Sequence, residues 1–143
     1  MKLTTGFTAL VMAGLLAGCV SPAAKQPGTA AQTCKAENQM QQTTLYYGLT
    51  RQGGKAITAQ EWQQYVDNDV TPRFRDGLTT FDAQGQWLGS NGKVSKEPSK
   101  ALMLIHSVDA QSDAKIDALR DIYKSRFAQE SVMRVDQPVC VQF

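Results

Sequence analysis

The side chains best suited to chemistry are Arg73, Glu97, Lys100 and Glu130, charged residues that stand where predicted elements begin or end. Gathered in one place they can bind a carboxylate or a phosphate, because the planar guanidinium of Arg73 meets such anions through two parallel hydrogen bonds and Glu97 tunes it. The simpler reading is a salt-bridge network that fixes a helix-to-strand turn, and it is the preferred one, since structural networks also gather charge. His106 is the one histidine and ends an apolar run, where a general base is one role and a packed or surface ring the commoner one. Trp62 and Trp87 can line a pocket, but core packing is the expectation for both. Gly53-Gly54 is too short a signal to cradle phosphate. Metal-ligand spacing, a phosphate loop, a Gly-x-Ser-x-Gly elbow and a Cys/His pair are all missing, so no metal or cofactor is expected and no catalytic residue is assigned.

These residues need elements to position them. Thr43 to Leu49 is rich in β-formers, with Leu45, Tyr47 and Leu49 on one face and Tyr46 on the other. Thr58-Ala59-Gln60-Glu61 is a capping box that opens a helix through Trp62, Tyr65, Val66 and Val70, and Pro72 marks its stop. Leu78 to Phe81 resumes β-type residues, Asp82-Ala83-Gln84-Gly85 reads as a turn, and Gln86-Trp87-Leu88 follows. Ser90-Asn91-Gly92-Lys93 is a second turn signal. Ala101 to Ile105 is an unbroken apolar run, which predicts a central strand buried on both faces. Asp109 or Ser112 caps a helix whose Ile116, Leu119, Tyr123 and Phe127 form the apolar stripe, while Asp117, Arg120, Asp121 and Lys124 face water. Val132 to Phe143 closes the chain as a strand in which Pro138 favours an edge or a bulge.

The order β-α-β-β-α-β is that of an α+β, ferredoxin-like split βαβ domain, with an antiparallel sheet and two helices on one face. The opposite face is then open. Lined by residues of the Ala101–Ile105 run, it is an apolar patch of the kind that marks an interface or a ligand groove. A homodimer through the sheet is the leading expectation, by analogy with dimeric α/β barrels, and that analogy concerns fold and not activity. Tyr46 and Arg134 are both placed on this open face.

The chain of 143 residues, 42% hydrophobic and 20% charged, has room for one modest core and an ordinary globular composition. Its formal charge is +2, and Lys2 lies in a segment expected to be removed, so the mature chain is nearly neutral. It lacks the basic footprint of a nucleic-acid binder. That first segment carries Lys2, an apolar stretch from Leu10 to Leu16 and small residues beyond, the pattern of an export signal. Its end, Leu16-Ala17-Gly18-Cys19, resembles the lipobox of bacterial lipoproteins. The resemblance implies a diacylglyceryl group on the sulfur of Cys19, cleavage just before it and acylation of the new amino terminus. Val20 and Ser21 follow where Asp would favour the inner membrane, which implies the outer membrane facing the periplasm. Several acyl chains hold far more firmly than one, because each buried methylene contributes about 0.8 kcal/mol. Residues 1–18 are thus read as signal and 19–33 as a lipidated flexible tether, poor in large side chains. Residues 34–143 form the domain. Of the three cysteines, Cys34 and Cys140 remain for the oxidising compartment, and a disulfide between them is expected.

The segments Val70-Thr71-Pro72-Arg73-Phe74-Arg75-Asp76-Gly77-Leu78-Thr79, Gly85-Gln86-Trp87, Glu97-Pro98-Ser99-Lys100 and Gln129-Glu130-Ser131-Val132 resemble a family of small bacterial proteins, many with lipoprotein signals, known only as a domain of unknown function. Arg75 stands where that family usually has Pro. The resemblance implies a domain running from Leu45 to the end and supplies no activity. The expectation is therefore a lipid-anchored, non-catalytic envelope domain that binds itself or another envelope protein. The alternative is a small-molecule binding protein or enzyme of the dimeric α/β barrel kind, with its pocket near Arg73 and Glu97.

Overall fold

Alternation sets the first strand. The computed structural model describes residues 34–143 apart from Gln52 and Gly54, and in it β1 runs Gln39–Gly48, with Thr43, Leu45 and Tyr47 fully buried on one side and Tyr46 exposed on the other. The strand begins earlier than its β-rich stretch because Gln39 to Gln42 pair with β4 and lie against its ladder. The expected signal, the expected lipidation at Cys19 and the expected tether fall outside the described residues.

The helix α1, Ala59–Tyr65, opens on the predicted capping box, in which the Glu61 amide bonds the Thr58 hydroxyl and the Glu61 carboxylate accepts the Thr58 amide. It widens into a π turn over Val66–Val70, closed by the Thr71 amide and hydroxyl, both donating to the Val66 carbonyl. Pro72 has no amide to extend it. β2 then spans Thr79–Leu88 and β3 Val94–His106. Asp82-Ala83-Gln84-Gly85 is thus not a turn: each residue pairs across to β3, and the strand continues because cross-strand bonding outweighs local turn preference. The real turn is Gly89 to Lys93, where Gly92 takes φ 72 and the Lys93 amide bonds the Asn91 side chain. The helix α2, Ala110–Phe127, is capped by Asp109 through the Ser112 amide at 2.7 Å and ends at Ala128 in a left-handed conformation. β4, Met133–Cys140, completes the sheet.

Strand order is β2-β3-β1-β4 with every pairing antiparallel, the ferredoxin-like split βαβ arrangement. β3 is central, as its apolar run requires. Burial along it is uneven: Leu102 and Leu104 are fully buried under the helices, whereas Met103 and Ile105 on the other side are only half-buried. β4 is an edge, which accommodates Pro138. Gln39 lies opposite Cys140, and the structure bonds Cys34 to Cys140 with their Cα atoms 5.6 Å apart.

Both helices pack on one sheet face through Trp62, Tyr65, Ile116, Leu119, Tyr123 and Phe127 against Leu45, Tyr47, Leu102 and Leu104. The middle of this core is aromatic, with Tyr47 and Tyr123 ring centres 4.5 Å apart and Tyr65 set edge-on to both. Its phenols are satisfied: Tyr65 donates to the Leu119 carbonyl, which leaves Tyr47 to donate to Tyr65, and Tyr123 donates to the Gly48 carbonyl. Burial pushes all three phenol pKa values well above the ordinary range.

Candidate functional site

Strand parity assigns the open face. Met40, Gln42, Thr44, Tyr46 and Gly48 of β1 share it with Thr79, Phe81, Ala83, Gly85 and Trp87 of β2, with Ser95 to Ile105 at alternate positions of β3, and with Met133, Val135, Gln137 and Val139 of β4. Glu97 is the only charged side chain among these positions. Trp87 belongs here, 52% exposed, and is not the core residue expected, because it lies past the end of β1 on the outward side of the β2-β3 hairpin. Arg134 moves the other way. It stands opposite Leu45, on the helix side, where it pairs with Asp113 and Asp117 of α2 and with Asp136 of its own strand.

At one end of the open face a cleft of about 350 Å³ is bounded by Tyr46, Gly48 and Thr50, by Trp87 and Glu97 of the hairpin, by the turn from Ala128 to Ser131, and by Met133. Trp87, Glu97 and the stretch Gln129-Glu130-Ser131, distant in sequence, meet here. Their meeting is held by specific contacts. Glu97 accepts the Thr50 amide at 3.0 Å, and Gln129 donates to the Thr50 carbonyl at 2.9 Å, so both sides of one peptide-bearing residue are fixed from opposite walls. Gly48 makes this possible: a Cβ there would stand 2.6 Å from Glu97 Oε1. Neither Gly48 nor Thr50 was legible as a site residue, since a strand-end glycine signals only that something approaches closely.

The structure does not gather the expected charged set. Glu97 and Glu130 share the cleft. Lys100 sits on the helix side of β3 and pairs with Asp82 of β2. Arg73 lies after the π turn, donating to the Asp69 carbonyl at 2.7 Å, while the Asp69 carboxylate pairs with Arg126 at 2.5 Å. Arg73 therefore closes a helix end, and it borders a different, larger cleft of about 600 Å³ formed with Phe74 to Thr79, Met103, Ile105 and the start of α2. With arginine absent from its lining, the first cleft is acidic among its described residues.

His106 lines the larger cleft as well, with its ring buried. Its Nε2 lies 2.8 Å from the Thr43 hydroxyl, its Nδ1 lies 2.8 Å from the Ser107 carbonyl, and Phe74 stands edge-on to the ring. Thr43 in turn donates to Asp136 at 2.6 Å. Burial opposes ionisation of Asp136, but the Thr43 hydroxyl and the Arg134 guanidinium outweigh it and hold the carboxyl below its ordinary range. This chain ties β3, β1 and β4 together on the helix side. The sequence carries no local signal for it, because its members are paired by register alone.

Among solved structures, the fold is similar to a phage SAM lyase in complex with S-methyl-5'-thioadenosine, at TM-score 0.54 and 17% identity over 71% of this chain and 90% of that one. It is also similar to CutA from Synechococcus elongatus, at TM-score 0.48 and 13% identity over 72% and 79%. No curated protein matches the chain. The model of a family described as a protein of unknown function, DUF3574, matches residues 42–143.

Proposed function

Because this chain belongs to the DUF3574 family, whose description carries no activity, we propose from its geometry that it is an envelope-tethered association module: lipid on Cys19 anchors it, and its open sheet face takes a second copy. The observation that carries this reading is the composition of that face. Tyr46, Phe81, Trp87, Met133 and Val135 are exposed on it beside half-buried Met103 and Ile105, with Glu97 as the one charge and that at its end. Its polar positions are hydroxyls and amides such as Thr44, Thr79 and Gln137, and large exposed apolar side chains stand between them, which is unusual for a sheet face left in water. Strands about 4.8 Å apart that rise about 3.3 Å per residue give a four-stranded face on the order of 600 Å² in projection. That matches in scale the roughly 800 Å² of accessible surface each partner gives to a stable interface. A second copy suits it because a face whose centre is uncharged and largely apolar is self-complementary about a twofold axis and needs no opposite charge there. The likeness to the phage lyase concerns the fold, and no lyase chemistry is assigned.

The test is sedimentation of a soluble form in which an unlipidated export signal replaces residues 1–19. A dimer at micromolar concentration is expected. Phe81→Glu, at a half-exposed position that tolerates charge in the monomer, should shift it to a monomer that still melts cooperatively, at a temperature no longer dependent on protein concentration. A wild type that stays monomeric throughout this range refutes the face. For the anchor, Cys19→Ser should abolish incorporation of labelled palmitate, and undiminished labelling would remove the lipid from the reading.

A further inference from the structure

The cleft at the end of the open face has a chemistry of its own, carried by one chain; because Tyr46, Trp87 and Met133 also belong to the face proposed to pair, it is a site of the unpaired chain, and a ligand there competes with a second copy. Its walls are Tyr46, Trp87 and Met133, respectively 37%, 52% and 57% exposed, so aromatic and thioether surface is presented to solvent and not spent on the core. Its acidic groups are Glu97 and Glu130, and no lysine or arginine is among the described residues that line it. Glu97 is positioned from the backbone, with Oε1 on the Thr50 amide and the missing Cβ of Gly48 leaving room for the carboxylate against the strand. Thr50 is itself fixed by Gln129, so the carboxylate is held by structure on both sides of the cleft.

This combination selects by charge. An anion would meet carboxylate and the negative faces of two rings. A hard divalent metal needs about six oxygen ligands, and the aromatic walls offer none of the carboxylates it would require. A compact organic cation gains from both components, since ammonium is drawn to carboxylate and to the face of tryptophan or tyrosine alike. We propose that the cleft between Tyr46, Trp87 and Glu97 is a binding site for an organic cation, an ammonium group on a short apolar stem. The stem lies against Met133, and a volume of about 350 Å³ is ample for a ligand of that size.

The experiment is an NMR titration of the soluble form carrying Phe81→Glu, which keeps the face unpaired, and it follows the indole N–H resonances of its two tryptophans. The probes are choline with its neutral carbon isostere dimethylbutanol, and butylammonium with pentanol. Trp62 is buried in the core and serves as the internal reference. The expected result is that a cation moves the Trp87 resonance and leaves that of Trp62 in place, saturating at millimolar concentration and about tenfold more tightly than its neutral partner. Glu97→Gln keeps an acceptor for the Thr50 amide and should fold, yet weaken the cation by about fivefold without affecting the neutral probe. The proposal is overturned if neither cation binds more tightly than its isostere, if Glu97→Gln binds the cations as well as the same form with Glu97 intact, or if the response appears at Trp62.

Discussion

Thr43 shows how one hydroxyl can organise a sheet. It is fully buried, donates to Asp136 and lies against His106, so a single oxygen joins the side chains of three strands. Thr43→Val keeps the shape and removes that oxygen, leaving the ring nitrogen and the carboxylate without their partner. Chemical denaturation should find it less stable by about 1–3 kcal/mol. Asp136 makes the same network sensitive to pH. Its folded pKa is depressed, so the stabilisation is fully present above the unfolded value of about 3.9 and is lost as pH falls through the lower folded value. Wild type should therefore exceed Asp136→Asn in melting temperature at neutral pH, with the gap closing as pH falls below the unfolded value of about 3.9. A gap that stays constant with pH would mean that the charge of Asp136 contributes nothing.

Among the elements, α1 is the one that depends most on its ends. It has only seven residues before the π turn, too few to hold its shape by propensity, and it relies on Thr58 and Glu61 at the start and on the Val66 carbonyl at the finish. The Glu61 carboxyl is held below its ordinary range first by the Thr58 amide and then by Arg51. Thr58→Ala removes the side-chain half of the box and should cost about 1 kcal/mol, read from the denaturation midpoint, while leaving the sheet's amide protection unchanged. The capping box was legible because its partners are three residues apart. The extended β2 was not, because Asp82-Ala83-Gln84-Gly85 has turn composition and only the facing residues Glu97 to Lys100 hold it straight.

At the scale of the whole molecule, the bond between Cys34 and Cys140 joins the two ends of the domain, 106 residues apart in sequence. Closing a loop of that length is worth up to about 4.7 kcal/mol through the entropy of the unfolded chain. Reduction should lower the melting temperature of the oxidised protein substantially, and Cys34→Ser with Cys140→Ser should reproduce the loss and abolish its dependence on reductant. If oxidised and reduced proteins melt together, the bond does not contribute to the domain's stability. The split βαβ order explains why such a clip is available: β1 and β4 are neighbours, so the chain entering one lies beside the chain leaving the other.

What the sequence determined by itself is whatever depends on short spacing: the helix caps at Thr58 and Asp109, the apolar stripe of α2, the alternation of β1, the apolar run of β3, and from their order the topology of the sheet. Those signals are local because backbone hydrogen bonds and side-chain periodicity act over a few residues. Tertiary structure alone decided which charged residues meet. Arg73, Glu97, Lys100 and Glu130 were equivalent in sequence, yet strand register sends Lys100 to the helix side, a helix end claims Arg73, and only the two carboxylates share the cleft. A shift of one residue in register would exchange the two faces of a strand, so the sign and place of a site built across strands is set by their pairing and not by composition.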